Sequence, residues 1–206
     1  MSANSVRKFQ DLLLNFSQAE DLAIRAKIEK SLWETFGEEQ AVFVLGMSGF
    51  SRLTRKYGII HYLSMVRRMQ VTTGPIVQSF DGYMVKYDAD NCFALFPSPL
   101  NAVNAAIAMQ HAFDASNILT SDDIDIRIAC GIDYGRILVI GSEDCFGDAV
   151  NRASKLGEDV AEAGDILVTK EAMQLIPEEA GIKSHEIEIL VSGINIATYA
   201  IEYRAE

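Results

Sequence analysis

The residues able to do chemistry in this 206-residue chain gather in a few short stretches. Asp88-Ala89-Asp90 sets two carboxylates in a tight turn between apolar runs, where an acidic side chain can project toward a cation. The plainer reading is a pair of turn-forming aspartates. Lys86 precedes that turn, and Asp144, Asn151 and Lys155 lie downstream. Lysine offers only donors and an ionised aspartate only acceptors. A few such groups, with backbone N–H groups and a divalent cation, can hold a small anionic substrate on an otherwise acidic protein. Other chemistries find no support. The three histidines, His61, His111 and His185, lie far apart without metal-ligand spacing, and there is no P-loop. Cys92, Cys130 and Cys145 are an odd count without a CxxC, each among apolar residues, which reads as buried reduced thiols in a cytoplasmic protein.

A formal net charge of −11 argues against a nucleic-acid-binding surface, which needs clustered Lys and Arg. The length suits one sizeable core rather than two domains. Half of the residues are apolar and mean hydropathy is near zero, as for a soluble globular chain. No apolar run reaches the ~20 residues of a membrane-spanning helix. The first residues, Met1 to Lys8, lead into a polar amphipathic stretch rather than the apolar region of a signal peptide.

The elements that must position these residues can be read from hydrophobic spacing. Residues 5–37 read as a broken helix or helix–turn–helix ending at Gly37, with Phe9, Leu12, Leu13, Phe16, Leu22, Ile28 and Leu32 at helical spacing. This N-terminal segment, 1–38, either packs on the domain after it, 39–206, or serves as a dimerising stalk. Ala41–Leu45 is a buried strand, succeeded by the loop Gly46-Met47-Ser48-Gly49-Phe50 and a helix over about 51–79, kinked at Gly74-Pro75. Gly82–Phe96 is a hairpin. Pro99–Ser116 is an alanine-rich helix, and Ser121-Asp122-Asp123 a solvated acidic loop. Ile124–Ile132 and Arg136–Ile140 read as two strands, and Phe146–Val160 as loop turning into helix. Ile166–Val168 is a strand and Lys170–Ile176 a short helix; Ser184–Val191 and Ile196–Tyr203 pair across a turn at Gly193. The order predicts an α+β domain, a mainly antiparallel sheet covered by helices.

Four segments together resemble the class III adenylate/guanylate cyclase catalytic domain. Phe43-Val44-Leu45-Gly46-Met47-Ser48-Gly49-Phe50-Ser51 is similar to its strand–Asp–x–x–Gly–Phe–Ser/Thr element. Gly82 to Asp90 is similar to its Gly…Val-Lys-x-x-Gly-Asp hairpin, and Phe96 to Ala106 to the helix entry after that hairpin. The fourth comprises Gly131-Ile132-Asp133-Tyr134-Gly135, Phe146 to Lys155, and Ala163 to Val168. The resemblance covers about residues 41–203. It implies a ferredoxin-like βαββαβ-type fold. It also implies conversion of a nucleoside triphosphate to its 3′,5′-cyclic monophosphate and pyrophosphate with Mg²⁺ or Mn²⁺, two ions being held by two carboxylates. Sites at the interface of a head-to-tail homodimer are implied too, with a heterodimer as the variant in which a second chain completes the site.

Carried onto this sequence, the resemblance puts the second metal carboxylate at Asp90, the base-reading residue at Lys86 and its partner at Asp144. A Lys–Asp pair is similar to the adenine-selecting arrangement, which points to ATP. Asn151 aligns with the residue that orients the ribose, and Met47, Ser48, Gly49 and Phe50 with the phosphate loop. Gly46 stands where the first metal carboxylate belongs. Lys155 replaces an Arg that steadies the transferring phosphate, keeping charge but losing the bidentate fork. Val191-Ser192-Gly193-Ile194-Asn195 lacks the phosphate-binding Lys often placed near the last hairpin. Asp88 adds a carboxylate, which together with Asp90 would hold one cation, or is a solvated turn residue. Two functional readings result: an adenylate cyclase with weakened metal-dependent catalysis, or a degenerate cyclase domain that binds nucleotide or dimerises to regulate a partner. A third is a purely structural dimer module. The Gly-Gly-Asp/Glu-Glu-Phe turn of diguanylate cyclases is absent.

Overall fold

In the computed structural model, residues 3–121, 124–191 and 194–204 are described. Asp122, Asp123, Ser192 and Gly193, from two of the stretches singled out above, lie outside them. The N-terminal segment is a helix–turn–helix, α1 (Ala3–Gln18) and α2 (Leu22–Phe36), the second capped by the Asp21 carboxylate on Ala23 N. Then come β1 (Gly37–Met47), α3 (Phe50–Tyr57), α4 (Ile59–Ser79), β2 (Tyr83–Asp88), β3 (Asn91–Phe96) and α5 (Pro99–Asn117). The chain continues through β4 (Ile128–Ile140), β5 (Asp144–Phe146), α6 (Asp148–Ser154), a π-helical turn (Lys155–Val160), β6 (Ile166–Thr169), α7 (Lys170–Met173), β7 (Ser184–Val191) and β8 (Ile194–Ile201).

The strands form one mixed sheet in the order β2-β3-β1-β4-β6-β8-β7, with β5 paired to the C-terminal part of β4. The pairs are antiparallel except β4–β6. This is the α+β arrangement expected from the order of elements. Helices cover both faces, so β1 reads as an unbroken apolar run rather than an alternation. Phe43 and Leu45 face Met65, Met69, Val103 and Met109 of α4 and α5. Val42 and Val44 face Ala149, Val150 and Ala153 of α6. Each such fully buried Phe, Leu or Val contributes about 1.5–3 kcal/mol over exposure.

Four local expectations are corrected. The helix expected over about 51–79 is divided at Gly58, which takes φ +87, a left-handed value that glycine adopts without a Cβ penalty, while Gly74 and Pro75 lie inside α4. The strand expected from Ile124 begins at Ile128, because the Asn117 amide takes both backbone groups of Ile126, N–H at 3.0 Å and C=O at 2.9 Å, leaving none for a ladder. From there it runs unbroken through Arg136, since Asp133, Tyr134 and Gly135 pair with Val42, Ala41 and Gln40. The helix at 170 stops at Met173, short of Ile176.

The N-terminal helices pack on β4 through Phe9, Leu32, Phe36 and Ile140. Phe9 also stacks on Phe146 at 6.0 Å, and Arg136 lies over the Trp33 ring at 4.7 Å. The three cysteines are free and buried, as expected. No helix among the described residues is long and apolar enough to cross a membrane.

Candidate functional site

Lys86 and Asp144, read from sequence as a pair, meet. Lys86 Nζ is 2.9 Å from Asp144 Oδ1, with side chains 29% and 33% exposed. β2 and β5 are not ladder neighbours, so the pair is a tertiary contact between separate strands. A one-residue bulge between Met84 and Lys86 shifts the register so that Lys86 stands opposite Phe93, the kind of irregularity that re-aims a side chain. The ammonium lies 5.0 Å from the centroid of that ring. Burial pulls the Lys86 pKa down, but Asp144, then Asp88, reverses this and holds it above 10.5. Asp144 Oδ1 also accepts from Cys145 N at 2.9 Å. Burial, then the Asp144 charge, pushes the neighbouring Cys145 thiol up to about 11.

The β2–β3 turn carries Asp88 and Asp90 around Ala89, a non-glycine residue at φ +50. Asp90 is half-buried and Asp88 exposed. The turn abuts the end of β1: Gly46 pairs with Asn91, and Met47 N donates to Asp90 O at 3.1 Å. From α4, Tyr62 lies within the field of the Asp90 carboxylate. Its burial first, and Asp90 second, raise the phenol well above 10.0. Sequence reasoning missed Tyr62, which reads as one more apolar position of a helix.

At Gly46 a Cβ would lie 3.1 Å from Gly157 O, 3.4 Å from Asn91 Oδ1 and 3.8 Å from Glu158 Cα. The π-helical turn therefore sits against the place where the expected carboxylate would start. Its approach is steric: a Cβ at Gly131 would fall 2.1 Å from Ala153 O, and one at Gly157 would fall 2.6 Å from Val44 O. Glu158, on that turn, was also missed. Burial, then Asp159, Asp88 and Asp90, raises its pKa, which shows that it shares their field. No local pattern announces a π turn.

Within the loop, the N–H groups of Met47 and Ser48 are already donated, to Asp90 O and to Arg127 O at 2.8 Å. Gly49 takes φ +98 at the start of α3. The Phe50 side chain lies outside the described residues, as do those of Val191, Ile194 and Asn195 in the last hairpin. Asn151 is exposed and Lys155 half-buried at the two ends of one helical turn spanning α6 and the π turn. Arg152, between them, is committed elsewhere: its Nε donates to Asp133 Oδ2 at 2.6 Å.

The two-metal centre that the resemblance implies would take one carboxylate from β1 and one from the β2–β3 turn. Position 46 has no side chain, and among the described residues no group of three or more His, Cys, Asp or Glu gathers as a metal site. The residues present do not fit such a centre.

Residues 38–203 match the family model described as the adenylate and guanylate cyclase catalytic domain. "Putative adenylate cyclase 3" of Rhizobium meliloti (strain 1021) is 30% identical over 171 residues, covering 80% of this chain and 29% of that protein. The chain thus spans under a third of the length of that relative. The adenylate/guanylate cyclase/hydrolase from Silicibacter pomeroyi superposes with a TM-score of 0.66 at 26% identity, covering 80% of this chain and 96% of that one. The guanylyl cyclase Cya2 gives a TM-score of 0.70 at 15% identity, over 80% of this chain and 92% of that one, a likeness of fold.

Proposed function

The chain belongs to the adenylate and guanylate cyclase catalytic domain family, and from that premise we propose that it is an adenylate-type cyclase domain whose phosphate-and-metal half is impaired. Its ligand in this reading is ATP or a related nucleoside triphosphate, bound at sites completed by dimerisation. The observation that carries it is the contrast between Lys86–Asp144, paired at 2.9 Å, and Gly46, which presents no ligand. Ammonium and carboxylate offer a donor for a purine ring nitrogen and an acceptor for an exocyclic amine. Asn151 stands to orient the ribose. Lys155 supplies charge to the phosphates without the planar fork of Arg. Electrostatic stabilisation of the transferring phosphoryl group is the main catalytic contribution in this chemistry, so its loss leaves turnover slow or absent.

A second reading is a degenerate domain that binds nucleotide or dimerises to regulate a partner, and it is favoured by the same Gly46. Incubating purified protein with ATP or GTP and Mn²⁺, alongside Gly46→Asp, separates the two. Cyclic nucleotide from wild type supports a working but weakened cyclase. Product from Gly46→Asp alone supports the degenerate domain. A preference for GTP in either protein would sink the adenylate assignment.

A further inference from the structure

Asp133 has no exposed surface, the one charged side chain so placed among the described residues. It sits in the middle of β4 and is satisfied from three directions. Thr169 Oγ1, on β6 at the cap of α7, donates to Oδ1 at 2.5 Å, and Tyr134 N donates to the same oxygen at 2.7 Å. Arg152 Nε, on α6, donates to Oδ2 at 2.6 Å. Thr169 Oγ1 in turn accepts from Ala172 N at 3.3 Å. One carboxylate thus ties together the central strand, the start of α7 and the helix that carries Asn151.

A buried carboxylate is costly unless paired and hydrogen-bonded, and a pair this close to a candidate site is not needed for packing alone. The apolar attachment of α6 already exists in Ala149, Val150 and Ala153. Those contacts, with the close approach of Ala153 O to Gly131, set the helix against β4, but hydrophobic burial is itself non-directional. The ion pair adds the missing direction. Arg152 is immediately next to Asn151 and three positions before Lys155, so fixing its guanidinium fixes the azimuth of both.

We propose that Asp133 is a positioning residue, acting through Arg152 to set α6 so that Asn151 and Lys155 face the bound nucleotide. The role at the nucleotide rests on the cyclase-domain reading above; the ordering of α6 does not. Burial raises the Asp133 pKa against the pull of Thr169 and Arg152, which agrees with a group held by geometry rather than by solvent.

Two measurements on the full chain test this: amide hydrogen exchange across residues 148–160, and ATP affinity with Mn²⁺ by calorimetry. They are made on wild type, Arg152→Gln, Arg152→Lys, Asn151→Ala and the Arg152→Gln/Asn151→Ala double variant. Arg152→Gln is expected to lose at least tenfold protection in α6 while α5 keeps its own, with Arg152→Lys restoring part of it. ATP affinity is expected to fall about as far as in Asn151→Ala, and no further in the double variant. Wild-type protection of α6 in Arg152→Gln would overturn the proposal. So would additive losses of affinity, which would mean that Arg152 meets the nucleotide itself. If wild type binds no ATP, the nucleotide-binding reading fails, and with it the role at the nucleotide. If Arg152→Gln loses protection in α5 and α6 alike, the pair is a general staple and the proposal is equally overturned.

Discussion

The two halves of the candidate site are built differently. Lys86 and Asp144 sit on strands, β2 and β5, each held by a single ladder, to β3 and to β4, and they meet at 2.9 Å before any ligand arrives. The other half is made of a turn, a loop and a helix end: Asp88 and Asp90, Met47 to Phe50, and Asn151 to Lys155. There a π turn lies against Gly46, and the acidic groups Asp88, Asp90 and Glu158 share a field without gathering. Strand ladders preserve geometry through sequence drift because each backbone bond supports its neighbours. Position 46 has that support on both sides, pairing with Asn91 and Ala129, and lacks only the side chain.

The largest way to break this contrast is to loosen α6. Arg152→Ala strands the buried Asp133 charge and is expected to cost about 3–5 kcal/mol of stability in denaturant unfolding. A loss below about 1 kcal/mol would mean that the ion pair contributes little.

Next comes restoration of the weak half. Gly46→Asp should raise cyclic AMP formation with Mn²⁺ by about 10²-fold or more, the scale of one lost electrostatic stabiliser in a site. The new Cβ meets Gly157 O at 3.1 Å, so Gly46→Ala serves as the control for the shift this requires. Equal rates in both variants would remove the carboxylate from the explanation.

The strong half is sharpened by Lys86→Ala and Asp144→Ala, each expected to weaken ATP binding roughly tenfold, as for a lost hydrogen bond to a charged group. Their stability coupling should be small, about 0.5–1 kcal/mol, because both side chains are about a third exposed and screened. Its pH dependence has a definite sign. The folded-state pKa of Lys86 lies above 10.5, so the coupling is fully present below pH 10.5 and fades as pH rises through the raised value. A coupling that grew above pH 10.5 would contradict the ion pair.

The smallest effect is at Asp88. Its side chain is exposed, and Asp88→Ala is expected to change Mn²⁺ affinity less than about threefold, the range of a screened surface charge. A tenfold loss would restore Asp88 and Asp90 as a joint cation site.

Most elements were legible because they rest on local physics. Apolar runs marked β1 and β3, the turn chemistry of Asp88-Ala89-Asp90 marked the hairpin, and the alanine-rich stretch from Pro99 marked α5, whose start Ser98 Oγ caps by accepting from Asn101 N at 3.2 Å. Where local signals misled, a tertiary bond had intervened. The Asn117 amide removed Ile126 from the sheet, and the pairing of β1 carried β4 through the Gly135 region.

For the site, the sequence by itself determined which side chains exist: Gly46 without a ligand, Lys155 without a fork, and Lys86 and Asp144 of the types that can read a base. Only the tertiary structure decided which of them meet. Lys86 and Asp144 lie on strands that are not neighbours, Tyr62 of α4 falls within the field of Asp90 in the β2–β3 turn, and Asp133 finds Arg152 through the packing of α6 on β4. The reason is physical. Residue type and short-range periodicity are written in adjacent letters, whereas contacts between strands that are not neighbours and the close approach at Gly131 and Gly157 arise only once the whole core is packed.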